Sequence, residues 1–430
     1  MQTAVAAYFA FALINYRLAV LFLAPIGLFL SHFPFVDGQI FSFFDVCCLG
    51  LSALLPFKTN FISKLKTYPF LAASLLVFIS YCVTNVLAEA HWPSTIFSFN
   101  TVHVFPFVVW CVLDEKKDVR WLLGAYAVFF SFSAIYALIE LALDDNIILD
   151  SLITKRLVNE NVLNYDEVRF GVKRLQSIFC TPMSMGLAMA TFAYVLYEKG
   201  KMMQQKNFFL FVLMMMCFIL PWLTGARSVF IPALIILFPV LNATLKNGSF
   251  ALLKIGIVGG IVFAGGGWIW SLVDSFIHSD TAVTGSSFDM RLMQFAVILP
   301  FFFNSPIWGN GFAFVWSFVK AVDKDLFGAE SIWMQILVDY GLLGAIGYIA
   351  CIYAIYRSLT KYKPEGKYLP IAIIIGYTMS TFLELELNFF FIMTMILIKN
   401  YEWEIEKKLE EGVAENADGE IGSENNSVEK

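Results

Sequence analysis

Residues 328–344 read "GAESIWMQILVDYGLLG". The stretch opens polar, sets Glu330 and Ser331 just ahead of a long apolar run, and places Asp339 inside that run, two residues before Gly341. The run continues to about residue 356, enough for a helix rising 1.5 Å per residue to cross a hydrocarbon core about 30 Å thick. A carboxylate at the mouth of such a helix, and a second one within it, are costly in lipid. Each therefore marks a cavity, a partner or a site.

Composition extends this reading to the whole chain. Hydrophobic residues make up 59% and charged residues 15% of the 430, with a mean hydropathy of +0.72. An ordinary soluble domain has about 45–50% and about 25%. Apolar runs punctuated by charge fall near 17–35, 38–57, 68–88, 96–113, 119–141, 177–197, 207–223, 229–245, 251–272, 332–356, 368–384 and 387–399. The short alternating segments of a membrane β-barrel do not occur in the sequence. The expectation is an all-α, polytopic membrane protein of about 12 transmembrane helices over residues 1–399. The first helix stays as an anchor, since no small-residue cleavage site follows it.

The net charge of −5 hides an asymmetry. Residues 402–430 hold ten acidic residues and three lysines, a local −7, which leaves about +2 for the rest. The tail, 400–430, reads as a helical continuation that turns polar, disordered and solvated. With the N-terminus inside, five short loops carry fifteen positive charges, from Lys58 to Lys367, as the positive-inside rule requires. Both termini are then cytoplasmic. Two long segments face outward, about 144–176 and about 274–331, the second a large structured external loop. Its stretch "FDMRLMQFAVILPFFF" has a helical rhythm and reads as an amphipathic or re-entrant element.

Seven scattered cysteines without a CxxC pair read as buried hydrophobes, and the four histidines lack metal spacing. Neither metal nor cofactor is expected. The glycine-rich run at 259–267 lies in an apolar span, so neither a nucleotide site nor a nucleic-acid partner is indicated.

Against the positive-inside background, outward arginines need a reason. An interfacial arginine can simply snorkel to headgroups. Arg174 ("VKRLQSIFCTP"), Arg227 ("LTGARSVF") and Arg291 ("SSFDMR") instead sit beside small or polar motifs, and together point to a diphosphate-bearing substrate, which arginine grips bidentately. Glu330 reads equally as a first-turn carboxylate complementing the helix dipole or as a general base. Asp339, nine residues on, lies roughly 13 Å deeper and on about the opposite face. A partner inside the bundle suits it better. Asp45, Glu384 and Glu386 are further membrane-level acids and functional candidates.

The order of "RLQSIFCTPMSMG" (174–186), "LTGARS" (223–228), "DMRLMQFAVILPFFFNSPIWGNGF" (289–312) and "AESIWMQILVDYGLLG" (329–344) resembles the successive landmarks of the bacterial O-antigen polymerase and ligase superfamily, Wzy and WaaL. The resemblance covers about residues 170–350. It implies a GT-C type glycosyltransferase of the bacterial inner membrane, with its active site facing the periplasm, that uses undecaprenyl-diphosphate-linked sugars without a metal. Arg174, Arg227 and Arg291 match the family arginines that hold the diphosphate, and Gly309 and Gly311 match its Gly-x-Gly turn. Where the pattern has His-Asn, this chain has Glu330-Ser331. That departure argues against a ligase and leaves two readings: Glu330 acts as the base, or it binds the acceptor sugar while His278 or another loop acid takes the proton. The expected function is an O-antigen or related polysaccharide polymerase whose partner is an undecaprenyl-diphosphate-linked oligosaccharide, with a chain-length regulator protein as a further candidate partner. An O-antigen ligase is the runner-up, and a flippase the rival from another class. The charge layout is tested by fusions: a phosphatase joined at residue 280 is expected to be active and one joined at residue 430 inactive.

Overall fold

A computed structural model of the chain describes residues 2–31, 33–34, 41–88, 92–155, 157, 168–169, 172–179, 181–203, 208–246, 288–322, 329, 331–379 and 387–425. The first half comprises α1 (Gln2–Ile14), α2 (Tyr16–Leu30), α3 (Phe43–Lys58), α4 (Phe61–Leu65), α5 (Leu71–Leu87), α6 (Trp92–Phe99), α7 (Phe105–Val112), α8 (Lys116–Leu143) and α9 (Ile147–Thr154). A π-helical turn, Asn100–Val104, joins α6 to α7. A two-residue antiparallel ladder follows, Val168–Arg169 against Val172–Lys173. Then come α10 (Pro182–Met203), α11 (Phe208–Leu223), α12 (Arg227–Lys246), α13 (Phe288–Asn304), α14 (Phe314–Val322), α15 (Ile332–Thr360), α16 (Tyr368–Met379) and α17 (Leu387–Asn425).

Helices cover eleven of the expected apolar runs, 251–272 lies outside the described residues, and α4, α9, α13 and α14 fall between the runs. Two differences are informative. The apolar residues before Asn15 form a separate helix, α1, because the Asn15 side chain accepts from the Leu18 amide at 3.3 Å and starts α2 afresh. At the other end α17 runs on to Asn425, well into the polar tail. Its Glu, Lys, Leu and Ala residues are good helix formers, and outweigh tail glycines that each cost about 1 kcal/mol.

Among the described residues, α8, α15 and the continuous α6–α7 run are long and apolar enough to cross a membrane by themselves. Their outer faces need a solvent other than water. Val128 is 70% exposed and Ile349 56%, while Thr84, Asn85 and His103 are buried. A water-soluble bundle turns its residues the other way.

Ion pairs gather at one end of the bundle. Arg17 pairs with Asp118, Lys64 with Asp114, and Lys363 with Glu198 at 3.1 Å and Glu404 at 3.5 Å. Lys399 reaches Glu402 at 2.9 Å and lies 4.5 Å over the Trp110 ring. The starts of α2 and α8, the end of α10, the α15–α16 linker and the middle of α17 therefore meet there. The chain direction places the starts of α10, α12 and α15 and the end of α16 at the opposite end.

The opening stretch holds the decisive local feature. Gly341, at φ 66° and ψ −163°, interrupts α15. An unbroken helix would bond the amides of Leu342 and Leu343 to the carbonyls of Val338 and Asp339. Those four groups bond instead to the loop between α13 and α14. Asn310 donates its amide to Val338 O at 3.0 Å, and Gly311 donates to Asp339 O at 2.9 Å. Leu342 donates to Pro306 O at 2.9 Å and Leu343 to Ile307 O at 3.1 Å. The loop thus replaces both missing helix bonds, sparing roughly 1–3 kcal/mol per buried group left unpaired.

This backbone crossing leaves no room for side chains. A Cβ on Gly309 (φ 76°) would collide with the Asp339 carbonyl, and one on Gly341 with the Ile307 carbonyl. The Asp339 carboxylate accepts the Val315 amide at 2.8 Å and so caps α14. From α5, Thr84 Oγ1 donates to Trp308 O at 2.5 Å and Tyr81 stacks on Tyr340 at 4.5 Å. Ile298, Val315, Ala329 and Val338 form a small core beneath the loop.

Gly309→Ala and Gly341→Ala each combine a strained φ, about 1–3 kcal/mol, with a steric clash. Both are expected to lower the melting temperature of the detergent-purified protein sharply. Gly124→Ala, in the interior of α8 where an added Cβ meets nothing within 4 Å, is expected to raise it slightly, since alanine is favoured over glycine in a helix by about 0.5–1 kcal/mol.

Candidate functional site

The end opposite the ion pairs gathers much of what the sequence singled out. Arg174 leaves the short ladder and is 3% exposed, followed by the buried Leu175, Gln176 and Ser177. This non-helical backbone runs inside the bundle, so its amides need acceptors. Glu140, one turn before the end of α8 and 3% exposed, supplies them. Its carboxylate accepts the Ser177 amide at 2.5 Å and the Gln176 amide at 3.3 Å. It also accepts Asn146 Nδ2 at 3.0 Å, and that same group donates to Ser177 O at 2.7 Å.

The clamp extends through neighbouring side chains. Tyr136 donates to Asn146 Oδ1 at 2.9 Å, and Ser177 Oγ donates to Ser133 O at 2.7 Å. Asn146 Oδ1 also accepts the Leu149 amide at 3.1 Å, capping α9. Ser177 is thereby held at φ 55°, unusual for a residue other than glycine. The result is a fixed path for the chain from Arg174 into α10. Sequence reading passed over Glu140, although a lone glutamate in "SAIYALIELAL" is a membrane-level acid of the same kind as Asp45. Asp45 itself completes the N-terminal capping box of α3 with Ser42 and accepts Thr101 Oγ1 at 2.6 Å.

The second motif packs onto the first. Gly225 turns at φ 63° between α11 and α12, and Thr224 Oγ1 donates to Pro221 O at 2.8 Å while accepting the Ala226 amide at 3.3 Å. A Cβ on Gly186 of α10 would lie 2.6 Å from Val229 Cγ1 and 3.2 Å from Thr224 Cγ2. The stretches 174–186 and 223–228 are therefore in direct contact. The stretches 289–312 and 329–344 are joined by the backbone exchange, in which Gly311 donates and Gly309 permits the close approach.

Helix α16 links these two pairs. It packs against both α12 and α15. Ser331 Oγ donates to Tyr377 O at 3.4 Å and Trp333 Nε1 to Ile374 O at 3.2 Å, which anchors the entrance of α15. Arg227 is the first residue of α12, and Arg291 lies in the first turn of α13. Their side chains lie outside the described residues, as do Glu330, His278, Glu384 and Glu386 entirely.

The described part of this end thus combines a buried guanidinium at Arg174, the buried Glu140 carboxylate, a turn that opens α12, and a rigid loop bearing two glycines. No family model matches the chain, and no curated protein matches it.

Replacing the clamp tests its role. Glu140→Leu strands the amides of Gln176 and Ser177, at about 1–3 kcal/mol per buried donor, and removes one of the two acceptors of Asn146 Nδ2. A large fall in melting temperature is expected. Glu140→Gln keeps one acceptor oxygen and is expected to lose clearly less.

Proposed function

We propose that this chain is a membrane glycosyltransferase that polymerises an O-antigen or related surface polysaccharide at the periplasmic face of a bacterial inner membrane. The observation that carries the proposal is pairwise assembly. Four stretches that resemble the landmarks of one family in sequence, 174–186 with 223–228 and 289–312 with 329–344, lie in contact two by two.

In this reading the growing glycan arrives on undecaprenyl diphosphate. A hydroxyl of the next lipid-linked repeat unit attacks the anomeric carbon, the bond to the diphosphate breaks, and the acceptor proton goes to a base. Arg174, Arg227 and Arg291 neutralise charge on the departing diphosphate. Such preorganised electrostatics act most strongly where water is excluded. Both substrates are lipid-linked, which suits a site at the end of a membrane bundle. The Gly309–Gly341 crossing holds the start of α15 in a fixed relation to the loop. Glu330 is the proposed base.

Loss of one such charge typically costs about 10²–10³ in rate. Arg227→Ala and Arg291→Ala are expected to abolish polymer while leaving protein levels intact, read as the ladder of chain lengths on a gel. Wild-type ladders in both variants would overturn the diphosphate role. Normal activity in Glu330→Gln would remove it as base. A deletion strain that makes single-repeat glycans supports the polymerase. Complete loss of attached polymer would indicate a ligase, and repeat units held on the cytoplasmic side a flippase.

A further inference from the structure

The ion-paired end carries a feature that glycosyl transfer does not use. Two cavities lie side by side there, of about 360 Å³ and about 350 Å³, and Lys64 lines both. Lys361 and Lys399 complete the basic lining of the first, Arg17 and Lys58 that of the second. Against these five cations the linings hold two carboxylates, Asp114 and Glu402. Adding Glu115 and Asp118, which pair with Arg17, and Lys117, which pairs with Glu115, gives six cations and four anions. The balance stays positive.

The donors converge from separate elements. Lys64 belongs to α4, Lys58 ends α3, and Lys361 caps α15. Asp114 orients Lys64, and Lys399 is held between Glu402 and the Trp110 face. The Tyr362 phenol donates to Glu402 Oε1 at 3.2 Å, so one of the first cavity's carboxylate oxygens is already engaged. Such a lining suits an anion such as a phosphate.

The surroundings select the kind of phosphate. Ile14 (86% exposed), Phe57 (85%) and Ile62 (64%) stand bare next to this end, and Lys58 Nζ donates to Leu13 O at 2.8 Å in their midst. A basic cavity fringed by exposed apolar side chains fits an amphiphile, with its headgroup among the lysines and its chains along the fringe. We propose that this end holds a binding site for the headgroup of an anionic phospholipid, its phosphate at Lys64, which the two cavities share, with Lys58 contributed from one cavity and Lys361 from the other. The argument rests on charge and shape at this end and is independent of the glycosyltransferase reading.

The test is native mass spectrometry of the delipidated, detergent-purified full chain after addition of phosphatidylglycerol, phosphatidylcholine or inorganic phosphate. Wild type is expected to retain phosphatidylglycerol and not phosphatidylcholine. Lys58→Gln and Lys361→Gln are each expected to weaken retention about fivefold, the effect of about one charge at an anionic lipid surface. Lys361→Arg keeps the charge and is expected to hold the lipid, and Lys407→Gln, at an exposed position on α17, is expected to change nothing. Melting curves without lipid report folding separately. Equal retention of the two lipids, or full retention by the two glutamine variants, overturns the proposal. Displacement of the lipid by millimolar inorganic phosphate reveals a free-phosphate site and overturns it as well.

Discussion

A backbone amide or carbonyl inside an apolar bundle has no water to turn to, and the architecture around α15 follows from that constraint. Gly341 breaks the helix and exposes two amides and two carbonyls. The loop at 305–311 presents two carbonyls and two amides in the matching order, so the pairs exchange partners without loss. The exchange works only because two glycines let the backbones touch. It makes the loop an integral part of the membrane-level structure, and it fixes how the chain enters α15.

The same requirement is met differently at the Arg174 segment. Here a side chain does the work. Glu140 accepts from two consecutive amides and from Asn146, which in turn bonds the Ser177 carbonyl and caps α9. One device is backbone against backbone, the other a buried carboxylate against backbone. Both hold irregular chain rigid at the same end of the bundle. Pre-organised geometry of this kind is what a site needs when its chemistry depends on placing charge rather than on a reactive side chain.

The two ends of the molecule are thus built on contrasting terms. The ion-paired end is stitched by lysine, arginine and carboxylate pairs among linkers, leaving positive cavities beside exposed apolar side chains. The other end has buried polar networks, tight glycine contacts and the candidate arginines. Helical segments were legible because apolar runs and charged punctuation report directly on which stretches can sit in lipid. The break at Gly341 was not, since "DYGLLG" reads equally well as continuous helix until a loop some thirty residues earlier is placed against it. Glu140 stands out in the sequence as a membrane-level acid, but its role does not, because its partners Gln176 and Ser177 lie far along the chain.

By itself the sequence determined that this is a helical protein with apolar faces, where its hydrophobic segments lie, and which motifs stand at their ends. These are properties of local composition and period, set within one or two helical turns. Tertiary structure alone decided that Asp339 caps α14, that Glu140 clamps the Arg174 segment, and that Gly309 meets Gly341. Each of those contacts joins residues too distant in sequence for any local pattern to encode. Each exists because a buried polar group or a crowded backbone admits very few partners once the helices are packed.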